Sequence, residues 1–283
     1  MTGQTLTIGA GGPIGRATTR ELARLQVPNV ATARYPTNTL RGLDFRDETV
    51  STTVMREVTP DVVLFLANPE LTPGAESDDA KGALRSLERF FQLAAETGTR
   101  RVVFASSAAV YGTVEPTPRK ETHPLAPESH YASFKANAEE LLKRASVELG
   151  LEGIVLRIFN VYGQGLDSSL INRIFASSGN KAGVLNTPSY VRDYIHVSDV
   201  AKVLASAIRL PPSGYAAINV GTGVATDNVW LMNQPGARGD PVDVHAGYFS
   251  HSVADISAMS RLLDTPSKIR LDAAISSREL LLD

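Results

Sequence analysis

The sequence predicts a doubly wound parallel α/β fold, an open sheet with helices on both faces. Three observations carry this. Continuous apolar strands recur at residues 6–8, 61–68 and 101–105, as a parallel sheet covered on both faces requires. Helix-length stretches alternate with them. The first strand also runs straight into a glycine-rich turn and then a helix over residues 14–25.

That turn reads Gly9-Ala10-Gly11-Gly12-Pro13-Ile14-Gly15. Glycines let the backbone bend sharply and approach a pyrophosphate, and the helix amino terminus favours the anion. Gly9, Gly12, Pro13, Ile14 and Gly15 are therefore candidate dinucleotide ligands. The second strand, residues 30–33, ends at Ala33-Arg34. An acid is expected there when the ribose of NAD is bound. Arg34 suits a 2′-phosphate instead, hence NADP. Asp44, followed by Phe45, is placed to reach the adenine side. The strand over 61–68 delivers Leu66, Ala67 and Asn68 to the carboxyl edge of the sheet, where ligands of such folds bind. The strand over 101–105 delivers Ser106 and Ser107 to the same edge.

A helix over residues 131–149 follows a proline-rich loop. It carries Tyr131 and Lys135 one turn apart on one face. An ammonium beside a phenol favours the phenolate and lowers its pKa, which makes a proton donor or acceptor usable near neutrality. By itself the pair is common on surface helices.

Composition limits the remaining classes. The chain has 283 residues, 43% of them apolar, enough for a large core or for a large and a small domain. Net charge is -2 with both signs mixed, so no nucleic-acid surface is expected. There is no cysteine, which excludes disulfide and thiolate chemistry. No apolar run approaches membrane-spanning length, and a cytoplasmic protein is expected.

Together these motifs resemble the extended short-chain dehydrogenase/reductase family of nucleotide-sugar epimerases, dehydratases and ketoreductases. The likeness runs from residue 6 to about 223. It includes the glycine turn, Ser107-Ala108-Ala109-Val110-Tyr111-Gly112, Tyr131 with Lys135, residues 156–163, Arg192-Asp193-Tyr194-Ile195-His196, and Asn219-Val220-Gly221-Thr222-Gly223. The resemblance implies a Rossmann domain over residues 1–160, with segments at about 190–223 returning to it. Residues 161–283 would be mainly substrate-binding. It implies catalytic roles for Ser107, Tyr131 and Lys135, with the last two also touching the cofactor. It implies substrate diphosphate contacts from Asn160 and Arg192, with Arg238 a further candidate. His196 reads as a packed histidine. Only 15 positions separate Gly223 from Arg238, so the small carboxyl-terminal substrate-binding domain is abbreviated and residues 230–236 do not read as a helix.

The family's dehydratases carry an Asp-Glu pair where this chain has Ala108-Ala109, which leaves epimerases and ketoreductases. Arg34, with Asp44 only 10 positions beyond it, resembles the NADPH-using sugar reductases. The expectation is an NADPH-dependent ketoreductase acting on a nucleotide-linked keto sugar. The alternatives are an NAD-dependent 4-epimerase and a non-catalytic NADP-binding sensor. A homodimer is expected through helices near residues 79–97 and 131–149, which the family pairs across a two-fold axis.

Overall fold

The computed structural model describes residues 3–69, 76–113, 115–175, 182–211, 214–245, 247–263 and 269–277. Its centre is a sheet built from β1 (Thr5–Ile8), β2 (Asn29–Ala33), β3 (Arg41–Gly42), β4 (Val62–Phe65), β5 (Arg101–Ser107), β6 (Glu152–Ile158) and the late strand Tyr215–Val220. All seven strands are parallel, in the spatial order Tyr215–Val220, β6, β5, β4, β1, β2, β3. The chain leaves β1 in one direction through β2 and β3, then returns to build outward from β4. The crevice between the ends of β1 and β4 is thus the switch point where such sheets bind ligands.

The apolar runs are continuous because both faces are covered. Val63 and Phe65 of β4 enter one core with Leu6, Phe90, Phe104 and Phe134. Val62 and Leu64 enter the opposite core with Leu22, Val103, Ile154 and Ile218. On the first face lie α2 (Glu48–Val58), α3 (Glu76–Glu96) and α4 (His130–Glu148). On the second, α1 (Pro13–Arg24) packs against the helix Val197–Ala207. Ser129 caps α4 by accepting a hydrogen bond from the Ala132 N–H at 3.1 Å. β4 is shorter than the run over 61–68 suggests, so Leu66 to Asn68 turn out over the crevice.

The carboxyl-terminal part adds three small sheets. Asn160–Tyr162 pairs with Tyr194–His196, Tyr190–Arg192 lies between Thr226–Asp227 and Ser250–Ser252, and Ala182–Leu185 pairs with Gly239–Val242. A separate core of Tyr162, Ile171, Ile174, Val184, Tyr194 and Leu231 supports them. The sequence over 230–236 shows no helical pattern, and residues 233–236 are not helical, but a short helix, Asn228–Met232, runs into the start of this stretch. Its start depends on Asp227, whose side chain accepts from the Trp230 N–H at 2.8 Å.

Asp193 joins the two parts. Its buried carboxylate accepts from the N–H of Thr222 at 2.8 Å, the Thr222 hydroxyl at 2.6 Å, the Gly223 N–H at 2.8 Å and the Ala254 N–H at 3.2 Å.

Candidate active site

The glycine turn is shaped by close backbone contacts. Gly9 has φ of +88°, and a Cβ there would lie 2.7 Å from the Ala67 nitrogen. Only glycine accepts both the angle and the approach. At Gly15 a Cβ would collide with the Gly9 carbonyl oxygen, so this glycine lets α1 sit against the turn. At Gly12 the nearest atom would be 3.7 Å away, which leaves the groove side open. Gly12 caps α1, Pro13 follows as its first residue, and no side chain satisfies the opening N–H groups. An open groove facing an uncapped helix amino terminus fits a pyrophosphate.

Beside the turn lies a cavity of about 130 Å³, lined by Ile14, Leu66, Asn68, Ser106, Ser107, Tyr131, Lys135, Phe159 and their neighbours. The lining comes from α1, the segment after β4, β5, α4, the end of β6 and the strand Asn160–Tyr162 that follows it. A larger groove of 320 Å³ lies between α1 and Val197–Ala207, but it contains neither Tyr131 nor Lys135. Ser107 ends β5, and its oxygen accepts from the Ala109 N–H at 3.2 Å, starting the single 3-10 turn Ala108–Tyr111. The Tyr131 hydroxyl hydrogen-bonds to Ser107 and Asn68. Lys135 is 1% exposed and donates to the Ala105 carbonyl at 2.7 Å.

Lys135 is not among the groups that shift the Tyr131 phenol, and Tyr131 is not among those that shift Lys135. Burial pushes the Tyr131 phenol above its ordinary range, and the hydrogen bonds to Ser107 and Asn68 offset only part of that. Burial pulls Lys135 down to about 7, against the opposing pull of Glu139. The reason is placement: the ammonium is 5.8 Å from the centre of the Tyr131 ring, 4.8 Å from that of Phe104, and shut away from water.

Arg34 does stand at the end of β2, but it is engaged. Its Nε lies 3.3 Å from Asp44, which also receives Arg46 at 3.0 and 3.2 Å. Burial raises the Asp44 carboxyl, yet Arg46 and Arg34 together hold it below the usual carboxylate range. Phe45 is a correction: its ring is buried in the core, 5.2 Å from Phe65 edge to face, so the side chain does not face a cofactor.

None of the three expected phosphate ligands lines the cavity. Asn160 stands between Phe159 and Val161, which do, and its side chain donates to the Asp193 carbonyl at 3.1 Å. Arg192 lies 3.8 Å over the Tyr190 ring and donates to Ser250 Oγ at 2.7 Å. Arg238 is exposed ahead of Gly239–Val242. His196 packs edge to face 5.2 Å from Tyr162, with Nδ1 2.7 Å from the Ser198 hydroxyl.

The sequence profile of the NAD dependent epimerase/dehydratase family matches residues 5–221. The chain belongs to this family. Among curated members, the UDP-glucose 4-epimerase of Lacticaseibacillus casei is 27% identical over 218 residues, covering 67% of this chain and 65% of that one. The UDP-glucose 4-epimerase of Azospirillum brasilense is 34% identical over 123 residues, 37% of this chain and 35% of its own. The match thus spans less than two thirds of either relative. Among solved structures, MoeE5 in complex with UDP-glucuronic acid and NAD superposes with a TM-score of 0.84, 25% identity and 97% coverage of both chains. The NAD complex of the Thermus thermophilus UDP-glucose 4-epimerase shares the fold, with a TM-score of 0.80, 23% identity, and 98% and 97% coverage. The epimerase/dehydratase fold therefore extends over nearly the whole chain.

Sequence reasoning missed Glu139 and the network that it joins. Ser106, Glu139, Arg157, Tyr111 and Asn219 form one buried polar network. A usable signal existed at Glu139, which continues the Tyr131–Lys135 face by one more turn, where a solvated acid is out of place.

Proposed function

We propose that this protein is an NAD-dependent epimerase of a nucleotide-diphosphate sugar, inverting the sugar at C4. The observation that carries the reading is the convergence of Tyr131, Ser107 and Lys135 on one cavity beside the open glycine turn. The similarity to UDP-glucose 4-epimerases supports it. Ala108 and Ala109 offer methyl groups where a dehydratase needs carboxylates.

NAD bound along Gly9, Gly12, Pro13, Ile14 and Gly15 supplies a hydride acceptor and, in the second half-reaction, a hydride donor. The positive charge that NAD would bring beside Tyr131 would lower its raised phenol, so that Tyr131 takes the proton of the reacting hydroxyl and returns it to the same oxygen once the sugar has presented its other face. Ser107 holds that oxygen and stabilises charge developing on it. Lys135 orients the nicotinamide ribose. Asn160 and Arg192 hold the diphosphate, Arg192 by turning from Ser250, since its planar fork suits phosphate oxygens. Arg238 is a further phosphate ligand. Water is kept out by Ile14, Leu66 and Phe159.

A second reading, NADPH-dependent reduction of a nucleotide-linked keto sugar, is favoured by Arg34 and Arg46 flanking Asp44 at the ribose end. One experiment separates the two. The purified protein is incubated with UDP-glucose and other nucleotide sugars, its bound nicotinamide is quantified, and products are followed by proton NMR. Stoichiometric bound NAD with redox-neutral interconversion supports the epimerase. Consumption of added NADPH with a keto sugar supports the reductase.

We also propose a homodimer through α3 and α4. A groove of 270 Å³ between them is lined by Leu84, Leu141 and the charged residues Arg85, Glu88, Glu140 and Arg144.

A further inference from the structure

The polar network behind Lys135 is fully enclosed. Glu139 is 2% exposed and accepts from Arg157 Nε at 3.1 and 3.2 Å, from Arg157 Nη2 at 2.7 Å, and from the Ser106 hydroxyl. Arg157 also donates from Nη1 to the Tyr111 hydroxyl at 2.8 Å and to the Glu121 carbonyl at 3.1 Å. Tyr111 donates in turn to Asn219 at 2.8 Å.

Burying an acid with an arginine is costly in desolvation, and an apolar pair would hold α4 on the sheet as well. The network is also aimed. It fixes a carboxylate one turn beyond Lys135 on the same helix face. Lys135 itself is pinned to β5 at the Ala105 carbonyl, next to Ser106. Ser106 and Ser107 then divide the work of one strand end, the first holding Glu139 and the second hydrogen-bonded to Tyr131.

We propose that Glu139, locked by Arg157 and Ser106 one turn beyond Lys135 on the same buried helix face, is a positioning residue for the Lys135 ammonium behind Tyr131. The proposal rests on the reading of Tyr131 as the acid–base group. The groups facing this site are Tyr131 on α4, Ser106 on β5, Arg157 on β6, Tyr111 on the 3-10 turn, Glu121 on the loop, and Tyr215 and Asn219 on the last strand. Among them Glu139 supplies the negative charge that opposes the desolvation of Lys135.

The test is a carbon-13 NMR titration of lysine-labelled protein, with the Lys135 signal assigned by its loss in Lys135→Met. Glu139→Gln lowers the Lys135 midpoint by roughly one pH unit or more. Its turnover at neutral pH falls about tenfold or more and recovers as the pH is lowered towards the new midpoint. Arg157→Gln leaves the Glu139 carboxylate without its neutralising partner, and its Lys135 midpoint rises above that of the wild type. A wild-type midpoint in Glu139→Gln, or in Arg157→Gln where Glu139→Gln does not fold, overturns the proposal. A midpoint shift in a protein that turns over no nucleotide sugar refutes the proposed function and leaves the Glu139–Lys135 coupling standing.

Discussion

Lys135 shares a helix face with Tyr131 but gives its hydrogen bond to Ala105, 2.7 Å away, not to the phenol. The two residues are therefore separable by mutation. Tyr131→Phe keeps the ring and its packing and removes only the hydroxyl. Turnover falls by roughly 10²–10⁴-fold. Affinity for the nicotinamide cofactor, measured by isothermal titration, stays within about twofold. Lys135→Met damages both. Full turnover in Tyr131→Phe would assign the acid–base work elsewhere in the cavity.

The same lysine makes stability depend on pH. Its pKa is about 7 in the fold against 10.5 in the unfolded chain. Between those values the unfolded chain binds the extra proton, so stability rises as pH increases from about 7 towards 10.5. Lys135→Met removes that contribution. Calorimetry at about pH 7 and about pH 10 then finds the variant more stable than the wild type at the lower pH, with the gap closing at the higher one.

On the reductase reading, Arg34 meets the 2′-phosphate of NADPH. Arg34→Ala weakens NADPH by roughly tenfold or more, the worth of about 1.5–3 kcal/mol for a charge-assisted contact. NADH is little changed. Equal losses for both nucleotides would show that Arg34 serves only to steady Asp44.

Asp193 holds the late turn and strand through four hydrogen bonds. Asp193→Asn keeps the size but places an NH₂ against N–H groups. Urea denaturation finds a loss of roughly 3 kcal/mol, the cost of leaving buried donors unpaired. An unchanged midpoint would mean that these donors find other partners.

Light scattering at micromolar concentration reports a dimer. Leu141→Glu, which puts a charge into the groove between α3 and α4, gives monomer with an unchanged circular dichroism spectrum. A wild-type monomer removes the proposed assembly.

The parts legible in the sequence are those whose cause is local. The Gly9 to Gly15 spacing reports a backbone shape, and Tyr131 and Lys135 report one helix turn. The unforeseen parts depend on distant partners. Ser106 and Glu139 lie 33 positions apart, and Glu139 and Arg157 lie 18 apart. Each charge reads alone as a solvated surface residue. Phe45 reads as a cofactor contact beside Asp44, whereas the fold turns its ring onto Phe65. The direction of the Tyr131 shift also depends on burial, which spacing along a helix does not report.

The outermost strand Tyr215–Val220 has a consequence for solubility. It pairs with β6 on one side and with no strand on the other among the described residues. An unpaired edge is a template on which another chain can add a strand, but here Ile218, Asn219 and Val220 are buried. The Asn219 N–H of that strand is taken by the carboxylate of Glu121 at 2.8 Å. A fixed negative charge therefore occupies part of the sheet's free edge. Glu121 thus finishes this part of the edge with a side chain in place of a further strand.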